Sequence, residues 1–277
     1  MDLYDETCFE SSKLITQKYS TSFSKGIAAF HPRFCYPIYG IYGFVRFADE
    51  IVDTFHGHDQ QKLLSEFEQQ VFDAIAKKIS LNPVLHAFQL TVNQYHIEPG
   101  LIHSFLSSMR MDIDKAVFSK EEYQQYIYGS AEVIGLMCLR VFCEGDGALY
   151  DKLAPSARSL GSALQKINFL RDIKADKQER NRVYFPGVDF SSFHEKVKKQ
   201  VEADIRHDLD EGFRGIGSLP GGARLGVYIA YQYYLQLFKK IVNTPADAIL
   251  QKRVRISNGR KAMLYYKAAL QHKLGLI

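Results

Sequence analysis

The stretch Gln165-Lys166-Ile167-Asn168-Phe169-Leu170-Arg171-Asp172-Ile173-Lys174-Ala175-Asp176 decides how this chain reads. Gln165, Asn168, Asp172 and Asp176 fall at i, i+3, i+7 and i+11, one face of an α-helix. An earlier stretch repeats the logic, with Tyr42, Arg46, Asp49 and Asp53 at i, i+4, i+7 and i+11. Around it stand Ile41, Phe44, Val45, Phe47, Ile51 and Val52, enough apolar surface to bury the helix on several sides. Four carboxylates therefore project from apolar helices, where like charges repel and desolvation adds a penalty. A fold keeps that arrangement cheaply only if cations fill the gap. Carboxylate oxygens with room for water suit Mg²⁺, commonly shared with substrate phosphates. One such pair alone would read as a surface salt-bridge motif worth little. Two matching stripes, each beside an arginine (Arg46 and Arg171), read as a metal-bridged diphosphate site between two helices.

The rest of the chain is also helix-periodic, and strand-like alternation is short. The pattern predicts helices at Glu6–Ser20, Pro37–Thr54, Gln60–Lys78, Pro83–Tyr95, Gly100–Asp114, Lys120–Cys143, Pro155–Arg180, Phe193–Leu209, Gly222–Asn243 and Gly259–Leu274. Pro37 and Pro155 are read as first helical residues. Asn181–Ser192, with Pro186 and Gly187, and Gly215–Gly222, with Pro220, read as loops. No linker or repeat divides the sequence, so residues 1–277 read as one all-α domain. Gly129, Ala131 and Gly135 interrupt a helical segment with small residues, although each glycine costs about 1 kcal/mol against alanine. Either close helix approach or room for a long apolar ligand explains them.

Composition narrows the class. A hydrophobic share of 46% with 24% charged residues describes a globular protein with a substantial core. Cys8, Cys35, Cys138 and Cys143 show neither Cys-x-x-Cys nor zinc spacing, so free thiols in a reducing compartment are expected. The acidic N-terminus lacks a signal-peptide pattern, and the longest uncharged apolar-rich run, Leu225–Phe238, is too short to span a bilayer. A cytoplasmic location is the expectation. Net charge is +4, but from Lys239 onward nine Lys/Arg face one acid, Asp247. That basic segment reads as a solvated face, or as a surface for an anionic membrane or a phosphate. No nucleic-acid-binding motif accompanies it, so nucleic acid is set aside. His56-Gly57-His58 reads as a polar loop after a helix rather than a metal site.

Together these residues resemble the squalene/phytoene synthase family, the head-to-head isoprenyl diphosphate synthases. The resemblance runs from Tyr19 to about Lys267. It is carried by Tyr19-Ser20-Thr21-Ser22-Phe23-Ser24, by Tyr39-Gly40-Ile41-Tyr42, by Arg46-Phe47-Ala48-Asp49-Glu50-Ile51-Val52-Asp53, and most specifically by Leu160 to Asp172 continuing through Asp176 to Arg182-Val183-Tyr184-Phe185-Pro186. Two positions depart: Tyr19 stands where many relatives carry His, and Lys174-Ala175 replaces more acidic or glycine-containing versions.

The resemblance implies a single-domain class I isoprenoid (terpenoid) synthase, a helical bundle around a central cavity. Asp49, Asp53, Asn168, Asp172 and Asp176 would hold Mg²⁺, with Mn²⁺ the alternative. Arg46, Arg171 and Tyr184 would join the four aspartates as catalytic groups acting on the diphosphate. Ser22, Phe23, Tyr42, Val133, Ile134, Gly135, Gln165, Asn168, Arg182 and Tyr234 would contact substrate. Core packing is the competing role for Phe23, Tyr42, Val133, Ile134 and Tyr234. The implied reaction is phytoene synthesis from two geranylgeranyl diphosphates through prephytoene diphosphate. Condensation of two farnesyl diphosphates to squalene or dehydrosqualene is the rival, and only that rival would call for NADPH. A head-to-tail synthase fits poorly, because its motifs read Asp-Asp-x-x-Asp. A non-catalytic relative acting as a binding module usually loses metal-site aspartates, whereas all four are present here. Long hydrocarbon substrates also imply peripheral contact with a membrane surface, for which Arg253, Arg255, Arg260 and Lys261 are the candidate residues; the same cations would alternatively face the diphosphate.

Overall fold

The computed structural model describes residues 1–115, 117–178, 184–186 and 193–277, with the side chains of 175–178 excepted. Among them are thirteen α-helices and no strand. In chain order they are α1 (Leu3–Tyr19), α2 (Thr21–Ile27), α3 (Pro32–Thr54), α4 (Gln60–Lys77), α5 (Pro83–Tyr95), α6 (Pro99–Asp114), α7 (Lys120–Ile127), α8 (Val133–Cys143), α9 (Gly147–Gln178), α10 (Glu195–Ile216), α11 (Gly221–Val242), α12 (Ala246–Gln251) and α13 (Asn258–Lys273). A π-helical turn, Tyr128–Glu132, joins α7 to α8.

Two apolar cores form. The first gathers α3 to α6 and α8 around Phe44, which stacks on Phe88 with ring centroids 4.0 Å apart. The second gathers α9, α10, α11 and α13 around Ile167, Leu170, Ile229 and Phe238. α9 is the long strut, packing on α8, the π turn, α10 and α11. Its approach to the π turn needs a glycine: a Cβ on Gly161 would lie 2.7 Å from the Ala131 carbonyl oxygen. Gly129 meets α6 in the same way, 2.5 Å from the Ser104 carbonyl oxygen. Gly135 faces the Ala157 carbonyl oxygen at 2.8 Å, so close helix approach accounts for the small residues of this segment.

Several boundaries differ from the sequence reading. α3 starts at Pro32, after a His31 N-cap, and Pro37 lies inside it. α9 starts at Gly147, where Asp146 Oδ1 accepts from the Leu149 N–H at 2.9 Å, so Pro155 is internal too. In both cases the proline was preceded by an earlier start signal. α10 runs on to Ile216 because Gly212 and Gly215 pack against Leu160 and Ser156 of α9. The short α2 and α12 lie in segments with too few turns for periodicity to register. Lys120–Cys143 is, by length and composition, apolar enough to cross a membrane, which the uncharged-run criterion missed because Glu132 interrupts it. Yet 67% of its most apolar window is buried inside the protein, as expected of a core helix. The predicted loop Asn181–Ser192 lies outside the described residues apart from Tyr184, Phe185 and Pro186. His56-Gly57-His58 is an exposed turn after α3.

Candidate active site

A cavity of about 580 Å³ lies between the two cores. α3 presents Tyr42, Arg46, Asp49 and Asp53 to it, and α9 presents Gln165, Asn168, Arg171 and Asp172. The described members of both stripes thus meet on one cavity. Along α9 the lining runs from Asp172 to Leu153, nineteen residues apart, or roughly 28 Å at 1.5 Å per residue. One end is charged. The other is apolar, walled by Phe30, Cys138, Phe142, Leu153 and Ile216.

At the charged end guanidinium groups balance the carboxylates. Arg171 Nε donates to both Asp172 oxygens at 3.0 and 3.1 Å. Arg253, from the segment between α12 and α13, grips the same carboxylate with Nε 2.5 Å from Oδ1 and Nη2 3.1 Å from Oδ2. On α3, Arg46 pairs with Glu50, stands 3.8 Å from Asp49 and lies 4.3 Å from the centroid of the Tyr19 ring. Its Nε is buried and has no hydrogen-bond partner among the described residues. A buried N–H without an acceptor is costly, and an anionic oxygen in the cavity would satisfy it. Lys261 donates to Thr21 Oγ1 at 3.1 Å; burial, with Lys25 and Arg171 nearby, pushes its pKa down.

Below the charged groups stands an aromatic arch. Phe23 lies 6.0 Å from Tyr42 and 6.1 Å from Tyr234. The Tyr234 hydroxyl donates to Asn168 Oδ1 at 3.3 Å, fixing the amide beside Asp172. Burial, then the Asp49 charge, raises the Tyr42 pKa to about 12, and burial raises that of Tyr234, so both stay neutral phenols at ordinary pH.

Asp49, Asp53 and Asp172 with Asn168 form a set of hard oxygen donors on one cavity, which fits an oxygen-preferring divalent cation. Among the described residues no three His, Cys, Asp or Glu side chains cluster as a closed metal site. The donor set therefore suits an ion that keeps water and shares phosphate oxygens, the habit of Mg²⁺.

The structure places most of the predicted residues on the cavity: Phe23, Tyr42, Arg46, Asp49, Asp53, Ile134, Gly135, Gln165, Asn168, Arg171, Asp172, Tyr184 and Tyr234. Ser22 and Val133 are not on its wall. Val133, the first residue after the π turn, is wholly buried in the first core, while its predicted neighbours Ile134 and Gly135 do reach the cavity. The Asp176 side chain and Arg182 lie outside the described residues. The Tyr184 hydroxyl donates to Asp112 Oδ1 at 3.2 Å. Sequence reasoning missed Asp112 and Tyr126; for Arg253 it left membrane and diphosphate contact as alternatives, and the structure turns this side chain to the cavity. Asp112 lies in the run Arg110-Met111-Asp112-Ile113-Asp114-Lys115, which reads as an ordinary charged helix end and gives no signal of a cavity residue.

A family model for squalene/phytoene synthases matches residues 16–260. The chloroplastic phytoene synthase of Daucus carota is 25% identical over 92% of this chain, which spans 69% of that protein's length. Phytoene synthase of Arthrospira platensis is 25% identical, with 96% of this chain and 94% of that protein aligned. A solved dehydrosqualene synthase in complex with a ligand has the same fold, with a TM-score of 0.82 at 22% identity over 97% of this chain and 98% of that one. With the match running through both acidic helices and the cavity between them, the chain belongs to the squalene/phytoene synthase family of prenyltransferases.

Proposed function

We propose that this protein is a phytoene synthase, joining two geranylgeranyl diphosphates head to head through prephytoene diphosphate to phytoene. The observation that carries the C20 reading is the depth of the cavity, whose lining runs roughly 28 Å along α9 from Asp172 at the acidic end to Leu153 at the apolar end. The relatives named phytoene synthase favour the same substrate. Members of the family act on prenyl diphosphates and typically use a divalent metal. Mg²⁺ held by Asp49, Asp53, Asn168, Asp172 and Asp176 would supply Lewis-acid neutralisation of the departing diphosphate.

The chain's own side chains do the rest. Arg46, Arg171 and Arg253 bind the diphosphate and put preorganised positive potential where negative charge develops. Departure leaves an allylic carbocation, which the second substrate's double bond attacks; proton loss gives the cyclopropylcarbinyl diphosphate. Its ionisation, rearrangement and a final proton loss give the central triene. Phe23, Tyr42 and Tyr234 face these cations with aromatic surfaces. The apolar wall excludes water, which would quench them as alcohols. Incubating the purified protein with Mg²⁺ and each prenyl diphosphate, with and without NADPH, tests the assignment. A C40 hydrocarbon from the C20 substrate without NADPH is expected. A C30 hydrocarbon from the C15 substrate would replace it with the squalene-type reading, and no turnover of either would leave a binding module.

The reading also includes a cytoplasmic enzyme working at a membrane surface. On α13 and its C-cap Leu274, Met263, Tyr266, Leu270 and Leu274 are 46, 73, 58 and 64% exposed and fall at i, i+3, i+7 and i+11, one apolar stripe. Arg260, Lys267 and Lys273 flank it, and no acid occurs from Lys252 to Ile277. An anionic bilayer complements both features, whereas a second copy would oppose like charges. Arg253 is engaged at the cavity instead, and Lys261 is bonded to Thr21 of α2. Flotation with phosphatidylglycerol-rich vesicles should carry the protein upward, and raised salt or Tyr266→Ser with Leu270→Ser should release it. Failure to float refutes this surface.

A further inference from the structure

Asp112, on the last turn of α6, is buried and lines the cavity, yet the mechanism above does not use it. Tyr126 donates its hydroxyl proton to Asp112 Oδ2 at 2.7 Å, and Tyr184 donates to Oδ1 at 3.2 Å. Each phenol has one proton to give, so both phenol oxygens turn only lone pairs towards their other neighbours. The rings belong to one aromatic cluster. Tyr184 stacks on Phe169 at 4.0 Å with planes 9° apart, and Tyr126 lies 5.2 Å from Tyr184. Phe169 precedes Asp172 by three residues, so it stands about 4.5 Å along the helix from the acidic end. That is the level of the first carbons of a chain whose diphosphate rests at Asp172.

A buried carboxylate is expensive and needs a reason. Beside a carbocation it also carries a chemical hazard. A bare carboxylate oxygen would donate a lone pair to the empty orbital, form an ester C–O bond and consume the enzyme's charge. Here each oxygen accepts a phenol proton, which blunts its nucleophilicity while the negative charge remains. Burial, and then the Asp112 charge, holds the Tyr126 hydroxyl well above the ordinary tyrosine pKa, so the cap stays protonated.

We propose that Asp112 is a positioning residue for the prenyl condensation: it orients the Tyr126 and Tyr184 phenols towards the reacting cation, and they shield it from alkylation. The inference rests on the prenyl-transfer reading above and extends it to a group that reading leaves idle. Wild-type turnover is measured first with both C20 and C15 diphosphates, and the variants are then assayed with whichever is consumed. A wrong chain length therefore leaves this test intact, while a wild type inert to both overturns the parent reading alone.

Asp112→Asn keeps the shape and removes the charge. A kcat lower by roughly 10- to 100-fold is expected, with KM changed less than about threefold and a larger share of prenyl alcohol from water capture. Tyr126→Phe removes the phenol proton given to Oδ2. It should show turnover-dependent inactivation and an intact-mass gain of one prenyl group mapping to Asp112, absent from the double variant with Asp112→Asn. A purely structural role would lower the melting temperature without moving the alcohol fraction or producing the adduct. Wild-type kcat and product in Asp112→Asn, or no adduct in an active Tyr126→Phe, overturns the proposal.

Discussion

Filling the far end of the cavity should cut the accepted chain length, and the structure gives the position and the size of the effect. Ala157 lines the cavity fifteen residues before Asp172 on α9, about 22 Å away along the helix. An extended chain advances about 1.25 Å per bond for tetrahedral bonds near 1.5 Å, so a C15 chain reaches roughly 14 Å from its first carbon and a C20 chain roughly 19 Å. Allowing about 4 Å between carboxylate and first carbon for an intervening ion and phosphate oxygen, only the last isoprene unit of the C20 chain meets Ala157. Ala157→Phe should therefore displace five carbons from apolar contact. At about 0.8 kcal/mol per carbon that is about 4 kcal/mol, or roughly a thousandfold in kcat/KM for the C20 substrate. The C15 substrate should change less than about threefold, since it makes no contact there. Competing the two labelled diphosphates in one reaction reads the ratio directly. Overpacking against the Gly135 crossing would cost about 1–3 kcal/mol of stability, and a thermal melt separates that from specificity. If both substrates lose activity equally, or neither does, the account of cavity depth is wrong.

Exchanging Asp49 or Asp172 for Asn should lower kcat by about 10²–10³ with the fold retained; circular dichroism and product formation check both halves, and undiminished turnover would contradict a diphosphate site. Arg253→Met removes one of two guanidinium groups on Asp172. KM for prenyl diphosphate should rise about tenfold, the worth of one charge-assisted hydrogen bond, and an unchanged KM would return Arg253 to the surface. Burial opposes ionisation of Glu50, but bonding to Arg46 and Thr54 outweighs it and holds its carboxyl below the ordinary 4.5. Its contribution to stability is then complete above 4.5 and disappears as pH falls through the lowered value. The melting-temperature gap between wild type and Glu50→Gln should shrink between neutral pH and about pH 3; a constant gap refutes that assignment.

Much of the site was legible because helical spacing is a strict rule. Asp49 and Asp53, like Asn168 and Asp172, had to share a face once their segments were helical, and the cavity took both faces. Arg253 was legible only as one of two alternatives, a membrane contact or a diphosphate contact. It comes from an irregular segment eighty-one positions beyond Asp172, and no periodicity links a loop cation to a distant carboxylate. The same holds for Asp112, whose partners Tyr126 and Tyr184 lie fourteen and seventy-two positions away. Val133 failed for a local reason. The resemblance placed Val133, Ile134 and Gly135 together on the substrate, but directly after the π turn Val133 packs into the first core and only its two neighbours reach the cavity. Pro37 and Pro155 misled because proline at a first turn and proline tolerated inside a long helix look alike until an earlier cap is found.

Counting diphosphate against hydrocarbon in a single reaction tests the central claim most directly. Two ionisations in one cavity predict that the wild-type enzyme, given Mg²⁺ and geranylgeranyl diphosphate, releases two diphosphates for each C40 hydrocarbon formed. One diphosphate released per coupled chain, with a phosphorylated C40 product accumulating, or diphosphate released only as prenyl alcohol appears, would contradict it.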